Sequence, residues 1–187
     1  MNRKQPGGIR IALAVLAVFA LTGPGCVLGP DQPVEPVGAG PVTMPDGLPG
    51  PFPVTKVIDG DTIWVSDDGQ RVKVRLLGID SPETHDGPEC FGEEATGHAL
   101  QALGGRQVYL ETDPSQGTQD RYGRTLAYVW VDGGLFNLEQ LDSGFAREYT
   151  FDQPYRYQAA FRAGEQAARA DGRGLWNPEA CDPSETG

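Results

Sequence analysis

Along this chain, short stretches dense in apolar, β-branched and aromatic residues, bounded by polar turns, read as five β-strands: Pro53 to Ile58, Thr62 to Ser66, Gln70 to Leu77, Gln107 to Thr112 and Thr125 to Val131. Apolar and polar residues alternate most clearly in the third. Val72, Val74 and Leu76 fall on one face, and Arg71, Lys73 and Arg75 on the other. Asp67-Asp68-Gly69 supplies the turn that joins the second and third stretches as a hairpin. Elsewhere the period lengthens to that of a helix. Phe91 to Leu103 carries Ala95, Ala99, Leu100 and Leu103 as an apolar stripe and stops at Gly104-Gly105. Asn137 stands where it would cap a short helix running to Asp142, which Gly144 ends. Pro154 to Ala170 is the longest helical segment, with Tyr157, Phe161 and Ala168 in register, and Asp171-Gly172 closes it.

Five short strands with helices inserted late predict an α+β, mainly β fold. The expected form is a small five-stranded Greek-key barrel of the oligonucleotide-binding (OB) type with three helices. The pattern vanishes before position 52. Arg3, Lys4 and Arg10 precede the uninterrupted apolar run Ile11 to Leu21, which is short for a membrane span and suited to an export signal. Cys26 follows directly and matches a lipid-attachment position, with ordinary signal cleavage and an uncleaved anchor as the alternatives. Val27 to Pro51 is rich in Pro, Gly and Val and has no period, as in an extended tether. The expected organisation is therefore a signal peptide at 1–25, a flexible lipid-anchored linker at 26–51, a domain at 52–180 and a tail at 181–187. The chain would be exported, held at a membrane through Cys26 or secreted.

The formal net charge of −11 argues against a role in packaging nucleic acid, which calls for a basic surface. It does not exclude an enzyme whose local cations reverse the field at one site. With Cys26 assigned to lipid, Cys90 and Cys181 remain, and an even pair in an oxidising compartment points to a disulfide. Two free thiols are the alternative. The histidines, His85 and His98, make no zinc spacing with them.

Three polar motifs hold the candidate chemistry: V-I-D-G-D-T from Val57 to Thr62, R-L-L-G-I-D-S-P-E from Arg75 to Glu83, and D-R-Y-G-R from Asp120 to Arg124. Asp59, Asp61, Asp80 and Glu83 are hard oxygen ligands that repel one another if they converge, and a bound Ca²⁺, Mg²⁺ or Mn²⁺ relieves that repulsion. Arg75 and Arg124 offer planar, permanently charged forks that fit a phosphate. Taken singly, the Asp-Gly-Asp run is an ordinary polar turn, Asp80 to Glu83 an ordinary helix start, and each arginine an ordinary surface ion pair. Their joint occurrence in this order changes the odds.

Together the three motifs resemble those of the staphylococcal nuclease (thermonuclease) family. Leu126 to Gly133, Asn137 and Gly172 to Trp176 extend the similarity, which runs from about Pro53 to Trp176. The resemblance implies an OB barrel that hydrolyses DNA and RNA, single-stranded or denatured DNA included, with Ca²⁺ as cofactor and 3′-phosphate ends as products. It implies Asp61 and Asp80 as direct calcium ligands, with the backbone carbonyl of Ser81 beside them and Asp59 behind them. Glu83 would be the general base, Arg75 and Arg124 the phosphate clamp, and Tyr122 an aromatic near the product phosphate. Tyr149 is the candidate for nucleotide stacking. The segment His85 to Glu94 is acidic and contains Cys90 where the staphylococcal enzyme has a basic loop. The enzyme is expected to be a monomer. The competing reading is a non-catalytic OB-fold lipoprotein that only binds nucleic acid.

Overall fold

The computed structural model describes residues 41–85 and 87–181. Its elements are β1 (Phe52–Val57), β2 (Thr62–Asp67), β3 (Gln70–Leu76), β4 (Ile79–Asp80), α1 (Gly92–Leu103), β5 (Gln107–Glu111), β6 (Thr125–Val131), β7 (Gly134–Leu135), α2 (Phe136–Asp142), β8 (Arg147–Glu148) and α3 (Gln158–Ala170). The strands run β3-β2-β1-β5-β6, and a parallel pairing of β3 with β6 closes them into the expected five-stranded barrel. Closure leaves no long free edge. The β2–β3 hairpin turns through Asp68 and Gly69, both at positive φ (46° and 83°), as a two-residue loop requires.

Period-two alternation explains the barrel interior. Val54, Ile63, Val65, Val74, Leu76, Val108 and Leu110 all point inward and are buried. Tyr128 and Trp130 on β6, with Phe136 of α2 and Phe161 of α3, are fully buried and join the helices to the barrel. Burying an aromatic side chain of this size contributes about 1.5–3 kcal/mol, so these four dominate the packing between layers.

Four expectations need correction. Asn137 caps nothing: α2 starts at Phe136, and the Asn137 side chain is buried. It accepts from the Val129 N–H at 2.8 Å and donates to the Leu77 carbonyl at 2.9 Å, tying α2 to two separate strands. Leu100 leaves the expected stripe of α1 and is exposed, while Gly92, Ala95, Ala99 and Leu103 form the buried one. The last helix begins at Gln158 and not at Pro154, because Tyr155 and Tyr157 are drawn inward to pack on Phe161. The expected linker does not stay free up to residue 51: Val42, Met44 and Leu48 pack against the core, and the Leu110 N–H donates to the Pro49 carbonyl. The signal segment and Cys26 lie outside the described residues.

Cys90 and Cys181 form a disulfide across a sequence separation of 91. Closing a loop of that length removes roughly 4–5 kcal/mol of chain entropy from the unfolded state. The bridge ties the segment between β4 and α1 to the C-terminal end of the domain.

Candidate active site

The site grows from two turns that meet. In the first, Asp59-Gly60-Asp61 joins β1 to β2, and an Asp59 carboxylate oxygen accepts the Asp61 N–H at 3.0 Å. Gly60 is required here by its close neighbours. A Cβ on it would lie 2.7 Å from the Ser81 Cβ and 3.0 Å from the Gln140 amide nitrogen. The second turn runs from β4 into Ser81-Pro82-Glu83. The Ser81 N–H donates to Asp61 Oδ2 at 2.8 Å, joining the turns across 20 residues of sequence. The Thr62 hydroxyl donates to the other Asp61 oxygen at 2.9 Å. Asp59 and Asp61 are both buried.

Arg75 leaves the outer face of β3 and spans both turns. Its Nη1 lies 3.1 Å from Asp61 Oδ2, and its Nη2 lies 2.7 Å from Asp80 Oδ1. Nη1 also donates to the carbonyls of Ile79 (2.7 Å) and Leu76 (3.0 Å). Two backbone carbonyls thus hold the guanidinium in place independently of the carboxylates. Glu83 follows at the rim, exposed. Its carbonyl accepts the Glu89 N–H at 2.9 Å, and a Cβ on Gly92 would collide with that same oxygen. The start of α1 therefore fixes the Glu83 backbone.

The carboxylates feel one another. Asp59 is pushed up to about 7, first by loss of water and then by the charge of Asp61. Asp80 is raised by desolvation on its inner side and by Asp61, against the pull of Arg75. Glu83 is raised by desolvation, then by Asp61 and Asp80. One charge, that of Asp61, raises all three, which places the four acids in one electrostatic site.

Arg124 stands apart from this cluster. Its Nε lies 2.6 Å from Asp120 Oδ2, and its guanidinium sits 5.5 Å from the centre of the Tyr122 ring. The β3–β6 register pairs Val74 with Thr125 and Arg75 with Leu126, so Arg124 precedes β6 level with Lys73, one step from Arg75 on the same wall. Tyr122 is exposed, and its hydroxyl accepts from Arg121 at 2.6 Å. Tyr149 is also exposed. Its N–H donates to the Gly78 carbonyl, and its ring lies 6.4 Å from that of Phe151.

Two supports have no counterpart among the residues singled out from the sequence. Gln140 is fully buried, and its amide donates to the Gly60 carbonyl at 2.6 Å while its oxygen pairs with His98 Nδ1. A polar residue one turn after Phe136, on the buried face of a helix, was the available signal. Arg147 on β8 stands opposite Asp80 on β4, and a two-residue strand gives no pattern to find.

The donor set suits a hard cation. Every candidate ligand is oxygen, and loss of water with mutual repulsion has raised Asp59, Asp80 and Glu83 in the way a divalent charge reverses. Among the described residues no three His, Cys, Asp or Glu side chains converge as a ready-made cage. An ion here would rest on Asp61, Asp80 and backbone or water oxygens, a sparse set of the kind Ca²⁺ and Mg²⁺ accept.

The model of the family described as staphylococcal nuclease homologue matches residues 73–178. The thermonuclease of Staphylococcus hyicus is 36% identical over 129 residues, covering 67% of this chain and 75% of that protein. The thermonuclease of Staphylococcus intermedius is 35% identical over 126 residues, covering 66% and 74%. Endonuclease YncB of Bacillus subtilis is 36% identical over 126 residues, covering 65% and 59%.

Proposed function

This chain belongs to the staphylococcal nuclease family and is a nuclease that hydrolyses phosphodiester bonds, and from that premise we propose an exported, Ca²⁺-dependent endonuclease acting on single-stranded or denatured DNA and on RNA. The observation that carries the reading is the bridging of Asp61 and Asp80 by Arg75, with Ser81 and Glu83 alongside. A module that only binds has no use for a permanent cation and four mutually repelling acids in one site.

Asp61, Asp80 and the Ser81 carbonyl would hold the ion, with Asp59 orienting Asp61 through its N–H. A bound divalent cation supplies polarisation of a phosphoryl oxygen and a positioned water. The protein's own groups do the rest. Glu83 has a carboxyl raised above its ordinary value, which suits a base that receives a proton from water and later returns it. Arg75 and Arg124 face the charge that grows on the phosphoryl oxygens as water attacks. They stabilise the transition state more than the bound substrate. Tyr122 and Tyr149 offer exposed rings to the flanking nucleotides. Cleavage of the 5′ P–O bond leaves 3′-phosphate ends.

The basic n-region, the apolar run and Cys26 support export with lipid attachment, and the Cys90–Cys181 pair suits an oxidising compartment. The protein acts as a monomer in this reading.

The test incubates the full chain with denatured DNA in Ca²⁺ or in EGTA. Cleavage only with Ca²⁺, giving ends that a 3′-phosphatase makes extendable, is the expected result. Cleavage that continues in EGTA rejects the ion dependence, and binding without cleavage in either condition returns the protein to a binding module. Mass spectrometry of the mature N-terminus reads the state of Cys26.

A further inference from the structure

Most arginines elsewhere on the domain lean on a carboxylate. Arg106 pairs with Asp132, Arg156 with Glu111, Arg162 with Glu148, Arg169 with Glu165 and Arg173 with Asp171. On the outer wall of the barrel the pattern breaks. Among the described residues, Lys56, Arg71 and Lys73 make no ion pair, in a chain with a net charge of −11. Carboxylates are plentiful, so three cations left without one on a single wall form a local positive field.

Two of these cations share one indole, and the third is its neighbour in register. The pairing of β2 with β3 sets Trp64 opposite Lys73, and the pairing of β1 with β2 sets Lys56 on its other side. The Arg71 guanidinium lies 4.5 Å from the centre of the Trp64 ring, and the Lys73 ammonium lies 6.0 Å from it. A guanidinium stacked on a ring keeps its N–H donors at the edge, aimed outward and available to phosphate. The bulge between Val54 and Lys56 brings Lys56 level with the indole.

The row is continuous with the active site. Arg71, Lys73 and Arg75 occupy alternate positions of β3 and so stand on one face, roughly 7 Å apart from one to the next. Arg124 stands level with Lys73 on the neighbouring strand. The wall therefore carries positive charge from the phosphate clamp outward along the hairpin, up to Asp67 and Asp68 at its tip. In OB barrels generally this face of the second and third strands tracks single strands, with aromatic rings among basic groups.

We propose that the outer wall of β1, β2 and β3, centred on Trp64 with Lys56, Arg71 and Lys73, is a second subsite that grips the phosphate backbone of a single-stranded nucleic acid several nucleotides from the bond being cut. It rests on the nuclease reading of the site and adds a reason for the enzyme to prefer long strands to short ones. The acidic surface elsewhere confines the strand to this track.

The test compares the full chain with its Arg71→Ala/Lys73→Ala variant on a single strand of about 20 nucleotides, longer than one OB fold engages, and on a dinucleotide. For the long strand, KM rises about tenfold at low salt with kcat unchanged, and the salt dependence of log KM becomes shallower by about 0.7 for each phosphate that the variant no longer neutralises. The dinucleotide is cut as before, and Arg71→Lys/Lys73→Arg recovers the long-strand KM. An equal effect on both substrates, or an unchanged KM and salt slope on the long one, overturns the proposal. If the unaltered chain cuts neither substrate, the nuclease reading fails separately. Fluorescence anisotropy with the labelled long strand then decides the wall: binding about tenfold weaker in the variant upholds it, and equal binding ends it.

Discussion

Two groups of acids, on different parts of the same barrel, live under opposite conditions. Glu111 and Asp113, at the end of β5, are saturated with donors. Glu111 receives the Trp130 indole N–H at 2.8 Å, the Tyr157 hydroxyl at 2.9 Å and the Arg156 guanidinium. Asp113 receives the Tyr128 hydroxyl and the Arg156 N–H, both at 2.8 Å, with the Ser115 N–H and hydroxyl besides. Burial pushes Asp113 up, yet these donors outweigh it and hold the carboxyl below the usual range. At the active site Asp59, Asp80 and Glu83 are all raised, because burial and mutual repulsion exceed what Arg75 and the backbone provide. The first group staples the approach to α3 to the barrel. The second is left short of positive charge, which is the condition for taking up an ion and a proton. The same side chain serves as rivet or as reagent according to its donors.

The largest expected effect falls on the reagent side. Arg75→Ala lowers kcat by about 10²–10³-fold, roughly 3–4 kcal/mol of transition-state stabilisation, by the scale of a single oxyanion donor. Steady-state kinetics on denatured DNA checks this. Wild-type turnover in Arg75→Ala would break the assigned role. Next is the rivet. Asp113→Ala strands the Tyr128 hydroxyl and the Arg156 N–H in a buried setting and costs about 3 kcal/mol of stability, while activity per folded molecule stays near normal. Urea unfolding together with active-site titration separates the two. Asp61→Asn inverts that pattern. Activity and Ca²⁺ affinity fall by far more than stability: in chelator, relief of repulsion on Asp59, Asp80 and Glu83 offsets part of the roughly 1–3 kcal/mol cost of losing an acceptor for the Ser81 N–H and Arg75. Thermal melts with and without Ca²⁺ read it.

The smallest effect is a pair of opposed pH slopes. Asp59 binds its proton more tightly folded than unfolded, so its contribution in chelator is complete below the ordinary carboxylate range and is lost as pH rises through about 7. Asp113 is depressed, so its contribution is present above the ordinary range and is lost as pH falls through the lowered folded value. Asp59→Asn should flatten the first slope to the part that Asp80 and Glu83 contribute and leave the second. Melting temperatures from pH 3 to 8, about the span of both titrations, would show the first slope reduced with the second intact, and both slopes reduced together would end the contrast.

Much of this is legible along the chain. Strand alternation from Val72 to Leu76 places Arg75 on the outer wall, where it stands. Motif order brings Asp59, Asp61, Asp80 and Glu83 into one site without any knowledge of distance. Asn137 misleads because an asparagine at a helix start looks alike whether it caps or bridges, and only the distant Val129 and Leu77 decide which. The strands β4 and β8 are too short to carry a period, so the setting of Arg147 opposite Asp80 is invisible in the sequence. Arg124 stands one step from Arg75 on the same wall and rests on Asp120, a partner within its own turn that was not singled out from the sequence.

The sequence by itself determined the barrel class, the family and the motifs from which the candidate site is drawn, because these depend on local period and on residue types in order. The tertiary structure alone decided which acids are satisfied and which are starved of charge, and which cations on the β3 wall go unpaired. Those outcomes depend on distances between residues far apart in the chain, and Coulomb and hydrogen-bond energies change over a few ångströms that no spacing in sequence records.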